Sequence, residues 1–154
     1  MQLAYFRDLN LEDIDGHIVL LDIDGTLVTD GMIDLESAEE TKLRELAAKN
    51  KVYLCSNKRD LKRNNSVADR QGVPSINSPY LKPSRKILKH IEDVDPGKLI
   101  VIGDKFLIDG VFARNIGARF IKVQRLVKEK ESFLTRIAYA IDDTAFAISR
   151  LWNT

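Results

Sequence analysis

Hydrophobic and polar positions divide the chain into two alternating kinds of segment. Short apolar runs at residues 17–21, 51–57, 99–104 and 118–123 are typical of strands buried on both faces of a parallel sheet. Longer segments between them have a helical pattern, as in residues 35–50, where an apolar stripe recurs and the charged residues lie elsewhere. Strands that alternate with helices are typical of parallel βαβ units. The pattern therefore predicts an α/β fold.

The remaining segments complete the predicted architecture. Residues 73–76 form a short additional strand, so we expect a mostly parallel five-stranded sheet. Residues 26–33 carry a hairpin signal, and residues 58–70 and 82–92 are helix candidates. The chain contains no repeat, low-complexity tract or linker, which predicts a single domain over residues 1–154.

The tetrapeptide DIDG occurs twice, at residues 13–16 and 22–25. The first copy follows a polar segment and is typical of a turn, because Asp bonds nearby backbone groups and Gly tolerates positive φ. The second copy follows an apolar strand, which places Asp22 at the strand's carboxyl end, where open α/β sheets bind ligands. Side chains two apart on an extended chain point the same way, roughly 6 to 7 Å apart. Asp22 and Asp24 are therefore predicted to serve one site.

Polar side chains also follow the other strands. Ser56 and Asn57 end the second strand, Lys82 lies in a later loop, and Asp104 follows the strand at 99–104, with Asp109 five residues further on. Parallel strands bring their carboxyl ends to one edge, so these side chains should converge. Crowded carboxylates repel unless a hard cation neutralises them, and oxygen ligands suit Mg²⁺. Lysine and serine donors beside them favour a phosphate ligand and phosphoryl transfer to a carboxylate.

Four ordered segments, DIDGTLV, SN, KP and GDKFLID, span residues 22–109 and resemble the motifs of the haloacid dehalogenase (HAD) superfamily. The resemblance implies a three-layer Rossmann-like core, with Asp22 as the nucleophile and Asp24 as the general acid and base. The implied Mg²⁺ site consists of Asp22, Asp24 through its backbone carbonyl, Asp104 and Asp109, the last of which orients the ligands. The implied phosphate-binding residues are Thr26, which supports the loop, and Ser56, Asn57 and Lys82.

HAD enzymes often carry a cap domain after the first motif or between the second and third. Residues 25–55 and 57–81 leave no room for one, so we expect a capless enzyme whose open site is covered by a bulky substrate or by a neighbouring subunit. Among capless HAD enzymes, the chain resembles subfamily IIIA and its phosphatidylglycerophosphatase-like branch. The resemblance rests on residues 5–28, 103–123 and 130–137, although that branch often has Asn where this chain has Gly25.

Composition narrows the choice of compartment and partner. A net charge of +1 with 31% charged residues gives no overall field for nucleic acid, although nucleic acid is not excluded as a substrate. The single cysteine, Cys55, excludes an internal disulfide, and two histidines give no zinc-ligand spacing. With no apolar run of about 20 residues and no signal-peptide pattern, we expect a cytoplasmic protein.

Two further regions bear on partners. The segment KRDLKR, with Lys58, Arg59, Lys62 and Arg63, either attracts an anionic substrate or lipid headgroup or forms a solvated helix face. Residues 131–152 carry an apolar stripe that ends at Trp152, and Asp142 and the two residues after it are a candidate start for a second helix there. We expect this region to pack on the sheet. It suits a homo-oligomer interface better than a membrane surface, because Arg136 and Arg150 are its only basic residues.

The sequence thus predicts a Mg²⁺-dependent phosphomonoester hydrolase that acts through an aspartyl-phosphate at Asp22, with phosphatidylglycerophosphate as the favoured substrate. Soluble sugar phosphates, nucleotides and polynucleotide ends are alternative substrates, and a phosphotransferase or mutase is an alternative reaction. A non-catalytic phosphate-binding or scaffold protein is the alternative class. It is disfavoured because every position that the HAD motifs require is filled.

Overall fold

The computed structural model describes residues 3–151, which form a parallel β-sheet between helices. Its strands are β1 (Ile18–Leu21), β2 (Lys51–Leu54), β3 (Leu99–Gly103) and β4 (Arg119–Lys122). They pair in the order β2-β1-β3-β4, and every pairing is parallel. The predicted α/β class is confirmed, and the arrangement is compatible with a Rossmann-like fold.

The sheet has four strands, so the prediction of five was wrong. Residues 73–76 pair with β2 only through an isolated bridge between Leu54 and Ser75. The Leu54 N–H donates to the Pro74 carbonyl, and the Ile76 N–H donates to the Leu54 carbonyl. Pro74 has no N–H, so the ladder cannot extend toward the start of the segment.

The α-helices are α1 (Ser37–Lys49), α2 (Leu61–Gln71), α3 (Val111–Ile116) and α4 (Phe133–Leu151). Short 3₁₀ helices cover Phe6–Asp8, Arg85–His90 and Pro96–Lys98, and a π-helix covers Phe106–Gly110. The helices predicted at 35–50 and 58–70 are therefore α1 and α2, whereas only part of 82–92 is helical. The predicted hairpin does not form; Asp24 and Val28 make an isolated bridge instead.

Two apolar clusters hold the layers together, one on each face of the sheet. Leu46 of α1 and Val67 of α2 belong to one cluster. The other cluster contains Ile87, from the 3₁₀ helix Arg85–His90, and Phe112 of α3. Every residue of β1 and β3 is consequently buried, as their continuous apolar sequences predict. The carboxyl ends of these two central strands are therefore held firmly, which positions the residues that follow them.

The C-terminal region differs from the prediction. It forms one continuous helix, α4, and Asp142 lies inside that helix rather than starting a second one. Phe133, Leu134, Ile137, Ile141, Ile148 and Leu151 are exposed instead of packed on the sheet, and Trp152 lies outside the described residues. Between residues 3 and 151, no helix combines the length and apolar character that a membrane crossing requires.

Candidate active site

Three carboxylates meet at the carboxyl ends of β1 and β3. Asp22 directly follows β1, Asp104 directly follows β3, and Asp109 lies in the π-helix after β3. One carboxylate oxygen from each of the three lies within 4.8 Å of the others, and all three residues are buried. The Asp22 N–H donates to the Ile102 carbonyl at 2.9 Å, which ties the ends of the two strands together. The structure therefore brings Asp22, Asp104 and Asp109 together, as the topology of a parallel sheet predicts.

A buried lysine lies between two of these carboxylates. Lys82 Nζ donates to Asp22 Oδ1 at 2.7 Å and to Asp109 Oδ1 at 2.6 Å. Burial disfavours the ammonium charge, but Asp109 and Asp22 outweigh it and raise the pKa of Lys82 well above its usual value. The ammonium is therefore charged at any physiological pH.

Two of the predicted phosphate-binding residues support other members of the site. The Asn57 side chain accepts from the Lys82 N–H at 2.7 Å and donates to the Lys82 carbonyl at 2.9 Å, which fixes the lysine backbone. Thr26 is fully buried, and its hydroxyl donates to Asp22 Oδ2 at 3.5 Å, a long contact. Asn57 thus positions Lys82, and Thr26 contacts Asp22.

Asp24 points into a separate set of polar contacts. Arg63 holds both of its oxygens, at 2.8 and 2.9 Å, in the bidentate geometry that guanidinium and carboxylate groups favour. Ser56 Oγ donates to Asp24 Oδ2 at 3.3 Å, and the Gly31 N–H donates to Asp24 Oδ1 at 2.9 Å. The backbone carbonyl of Asp24, by contrast, shares a contact with Asp104, since Lys105 Nζ donates to both.

The segment KRDLKR divides between two environments, so neither sequence interpretation describes all of it. Arg63 is buried against Asp24, whereas Arg59 and Lys62 are exposed. Lys58 pairs with Asp30 at 2.8 Å near the mouth of the site. The contact of Arg63 with Asp24 was not predicted from the sequence, because a buried arginine cannot be told from an exposed one within a segment rich in basic residues.

Two further cations contact the Asp104 carboxylate, and neither contact was predicted from the sequence. Arg125 Nε donates to Asp104 Oδ2 at 2.6 Å. Lys105 Nζ lies 3.3 Å from Asp104 Oδ1 and 3.3 Å from the Asp24 carbonyl oxygen. Burial and the neighbouring Asp22 carboxylate raise the pKa of Asp104, while these two cations oppose that rise. Lys105 follows Asp104 in the chain and was therefore visible, but Arg125 carries no motif that marks it.

Gly25 is required by the close approach of the first loop to Asp104. Its φ is +88°, and a Cβ atom there would lie 2.7 Å from Asp104 Oδ2. Since Asp104 is held by Arg125, the carboxylate has little freedom to move away. Gly25, where the phosphatidylglycerophosphatase-like branch often has Asn, is therefore explained by its contact with Asp104.

A cavity of about 240 Å³ opens beside Asp22 and Asp109. Its lining includes Asp22, Asp24, Ser56, Lys82, Lys105 and Asp109. Lys58 and Asp30, both partly exposed, stand at its rim. The volume is below the range of about 300 to 1,000 Å³ that holds whole drug-sized ligands, so it suits a phosphoryl group and a few further atoms. The bulk of a large substrate would remain outside.

The family model for mitochondrial PGP phosphatase matches residues 2–128. The chain belongs to this family. Its members are HAD-type phosphatases, so the chain is a phosphoric monoester hydrolase, and the predicted phosphatidylglycerophosphatase-like HAD membership is confirmed. No curated protein matches the chain. The match ends before α4 begins at Phe133.

The family's mitochondrial description overturns one prediction. We expected a cytoplasmic protein, and that prediction was wrong, since the family points to mitochondria. The expectation rested on the single cysteine, on the lack of an apolar run of about 20 residues and on the lack of a signal-peptide pattern. None of these properties separates the cytoplasm from the interior of a mitochondrion.

Removal of the Asp109 charge should change how stability depends on pH in the absence of divalent ions. Burial raises the pKa of Asp109 from 3.8 to about 6, so the folded protein holds this proton more tightly than the unfolded chain does. The corresponding stability is complete below pH 3.8 and is lost as the pH rises to about 6, by up to about 3 kcal/mol. Asp109→Asn should lack this loss.

Urea unfolding from pH 4 to 7 in EDTA, on wild type and Asp109→Asn, measures the effect. We expect the free energy of unfolding of wild type to fall relative to the variant across this range. Parallel pH profiles for the two proteins would contradict the prediction.

Proposed function

We propose that this enzyme hydrolyses the phosphomonoester of phosphatidylglycerophosphate with Mg²⁺, through an aspartyl-phosphate at Asp22. The observation that carries the proposal is the juxtaposition of the buried Asp22 carboxylate with the Lys82 ammonium, 2.7 Å away, in the lining of the cavity. The Asp22 oxygen that would attack phosphorus therefore lies next to the ammonium that would bind the phosphoryl oxygens. The family match supports the lipid substrate.

The donor set fits Mg²⁺. Three buried carboxylates offer only oxygen atoms, and these lie close enough together to share one ion. Asp22, Asp104 and the Asp24 carbonyl would hold the ion, and Asp109 would orient this set. When bound, Mg²⁺ supplies positive charge that stabilises the oxygens of the transferring phosphoryl group.

The protein residues would perform two successive displacements. In the first, an Asp22 oxygen attacks phosphorus while the bond to the leaving oxygen breaks, and Asp24 donates a proton to that oxygen. In the second, Asp24 takes a proton from water, which attacks phosphorus and releases inorganic phosphate from Asp22. Lys82 stabilises the phosphoryl oxygens in both steps.

Arg63→Met should impair the role that we propose for Asp24. The bidentate pair holds the Asp24 side chain in the orientation from which it would donate a proton to the leaving oxygen and accept one from water. General acid and base groups typically contribute about 10² to 10⁴ in rate. We expect kcat to fall about 100-fold with an alkyl phosphate but only about 10-fold with an aryl phosphate, whose leaving group needs less protonation.

Steady-state rates with both substrates test this expectation, with Lys62→Met as the matched control at an exposed neighbouring cation. Equal losses with the two substrates would contradict the role of Arg63 in placing Asp24 as the general acid.

Lys105→Gln should strengthen Mg²⁺ binding. The Lys105 ammonium lies 3.3 Å from two oxygens that we assign to the ion, so a divalent cation entering there meets like charge. Burial disfavours this ammonium, but Asp22 and Asp104 raise the pKa of Lys105, so it stays charged at neutral pH. We expect the Kd for Mg²⁺ to fall about tenfold, which corresponds to roughly 1.4 kcal/mol.

Isothermal titration calorimetry measures the Mg²⁺ affinity without substrate. Lys89→Gln, at an exposed lysine away from the cavity lining, is the control. Weaker or unchanged Mg²⁺ binding by Lys105→Gln would contradict the prediction.

The substrate is tested by measuring inorganic phosphate released from a panel at low salt. The panel contains phosphatidylglycerophosphate in vesicles, glycerol phosphate, a sugar phosphate, a nucleotide and a phosphorylated DNA end. We expect Mg²⁺-dependent release that is fastest with the lipid. A preference for a soluble phosphate would overturn the lipid assignment, and transfer of phosphate to an organic acceptor would overturn hydrolysis.

A further inference from the structure

We propose that Asp142 of α4 is a positioning residue for the candidate active site, because it fixes the backbone that presents Asp104 and Asp109. This inference rests on the proposed function, since those two carboxylates belong to the proposed Mg²⁺ site. Asp142 lies beyond the part of the chain that the family model matches, which ends at residue 128. Its role follows from its contacts with the backbone after Lys105, from its contacts with two buried cations and from the way in which α4 is seated.

Asp142 supplies the hydrogen-bond acceptors that the start of the π-helix lacks. The first N–H groups of a helix have no carbonyl partner within that helix. The residue before the π-helix is Lys105, whose side chain has no acceptor atom. Asp142 accepts from the Phe106 N–H at 2.9 Å and from the Leu107 N–H at 2.8 Å, one with each carboxylate oxygen. A residue of another helix therefore caps this one.

The capped turn carries Asp109. The Asp109 N–H donates to the Lys105 carbonyl at 2.7 Å, which links the carboxylate to the first residues of the turn. The Asp109 side chain packs against Gly103 so closely that a Cβ atom there would collide with it. A fit this close leaves the carboxylate little room to adjust. A shift of the Phe106 backbone would therefore be passed on to Asp109 and to its contact with Lys82, which is 2.6 Å long.

Asp142 also holds the two cations that fix Asp104. Its carboxylate accepts from Lys122 Nζ at 2.8 Å and from Arg125 Nη2 at 3.4 Å. Lys122 Nζ donates in turn to the Asp104 carbonyl at 2.5 Å, and Arg125 Nε donates to Asp104 Oδ2 at 2.6 Å. Both cations are buried, so each needs a nearby anion. Asp142 offsets part of their charge and thereby leaves more of the Asp104 charge for a metal ion.

The two neighbouring acids of α4 differ in their surroundings. Burial favours the neutral form of Asp142, but hydrogen bonds from Lys122 and from two backbone N–H groups outweigh it and lower the pKa of Asp142. Asp143 also lies near the cations, 3.3 Å from Lys122 Nζ and 3.8 Å from Arg125 Nη1. Its side chain is 58% exposed, and it accepts from no backbone N–H within the part of the chain that the structure describes. Asp143 therefore shares the cations of Asp142 but not its backbone contacts.

Aromatic contacts hold Asp142 in place. Tyr139 and Phe146 lie about one helical turn before and after it. The Tyr139 ring centroid is 3.9 Å from the central carbon of the Arg125 guanidinium, and the Phe146 ring contacts the Phe106 ring with 5.5 Å between centroids. A residue that orients others must itself be locked by packing, and Asp142 meets that requirement.

Mg²⁺ affinity tests the proposal without substrate. Isothermal titration calorimetry is performed on wild type, Asp142→Asn and Asp143→Asn. Asp142→Asn should raise the Kd for Mg²⁺ at least about tenfold, because residues that orient metal ligands typically contribute about 10- to 100-fold in affinity. Asp143→Asn removes the same charge from the same helix, but solvent screens that charge, so its Kd should stay within about twofold of wild type. Equal losses in the two variants would overturn the positioning role.

Kinetics with a soluble aryl phosphate gives a second readout. With Mg²⁺ saturating, Asp142→Asn should lower kcat about tenfold and leave KM within about twofold, because Asp109 and Lys82 lose their alignment while the cavity keeps its lining. Thermal unfolding verifies that the variant is folded at the assay temperature. A higher KM with unchanged kcat would overturn the proposal.

Hydrogen exchange on wild type tests the same coupling if Asp142→Asn does not fold. Coupling between two sites is reciprocal, so Mg²⁺ whose affinity depends on Asp142 must also stabilise the attachment of α4. Native-state exchange measures the local opening of that helix. We expect Mg²⁺ to slow exchange of the Phe106 and Leu107 amides and of residues 139–146 by at least about fivefold. Unchanged exchange in residues 139–146 would overturn the proposal.

The two proposals fail in different proteins. Wild type that binds no Mg²⁺ would overturn the proposed metal site, and the role of Asp142 with it. Wild type and Asp142→Asn that bind Mg²⁺ equally well would overturn the role of Asp142 alone and leave the proposed function standing.

Discussion

Asp22→Asn should abolish phosphate release, with kcat lowered by at least about 10³-fold. An amide oxygen is a far weaker nucleophile than a carboxylate oxygen, and loss of a catalytic nucleophile typically costs about 10³ to 10⁶ in rate. The fold should persist, because replacing the carboxylate removes repulsion from Asp104, whose pKa Asp22 helps to raise. Release of inorganic phosphate from an aryl phosphate with saturating Mg²⁺ measures the effect, and urea unfolding verifies that the variant is folded.

The repeated tetrapeptide supplies a matched control. Asp13 occupies in the first DIDG the position that Asp22 occupies in the second, but Asp13 is exposed and lies outside the cavity lining. Asp13→Asn should retain wild-type activity. Equal Mg²⁺-dependent rates in wild type and Asp22→Asn would remove Asp22 as the nucleophile, and the aspartyl-phosphate with it.

Lys82→Met should damage both stability and activity. It leaves Asp22 and Asp109 buried without the ammonium that contacts each of them at 2.7 and 2.6 Å. Breaking a buried ion pair on one side typically costs about 3 to 5 kcal/mol, which for a chain of this size lowers Tm by about 10 °C. Removal of a fixed charge from phosphoryl oxygens should also lower kcat by about 10² to 10³. Thermal unfolding and phosphate release measure the two effects.

A double variant separates these two consequences. Lys82→Met/Asp109→Asn carries one unpaired buried charge fewer than Lys82→Met, so it should recover part of the lost Tm. Its activity should remain as low, because the cation that binds phosphoryl oxygens is still missing. Lys89→Met, at an exposed lysine, should match wild type in both measurements. Restored activity in the double variant would show that Lys82 acts only by neutralising Asp109.

The hydrophobic pattern was sufficient for the elements that lie deep in the fold. The strands β1 and β3 are apolar throughout because both of their faces are covered, and such runs predict their own structure. The pattern failed at the edge of the sheet, where a single proline reduces residues 73–76 to one bridge. It failed again at residues 82–92, of which only Arg85–His90 is helical. Tertiary context outweighs local preference in such short segments.

The acidic members of the candidate site were predictable because the topology of a parallel sheet brings strand ends together. The arginines that contact these carboxylates could not be predicted in this way. Arg63 meets Asp24 across 39 residues of sequence, and Arg125 meets Asp104 across 21, and neither arginine follows a strand in a recognisable motif. Long side chains reach several ångströms from their backbone, so their partners depend on the packing of whole elements.

The sequence by itself determined the fold class, the edge of the sheet where the site forms and the phosphatase family, because each of these depends on local periodicity or on ordered motifs. Only the tertiary structure decided which cation contacts which carboxylate. It also decided that the apolar stripe of α4 faces outward, since Asp142, Tyr139 and Phe146 seat the helix by its other side. A periodic pattern specifies that a helix has an apolar face, but the contacts of the folded chain choose the face that is buried.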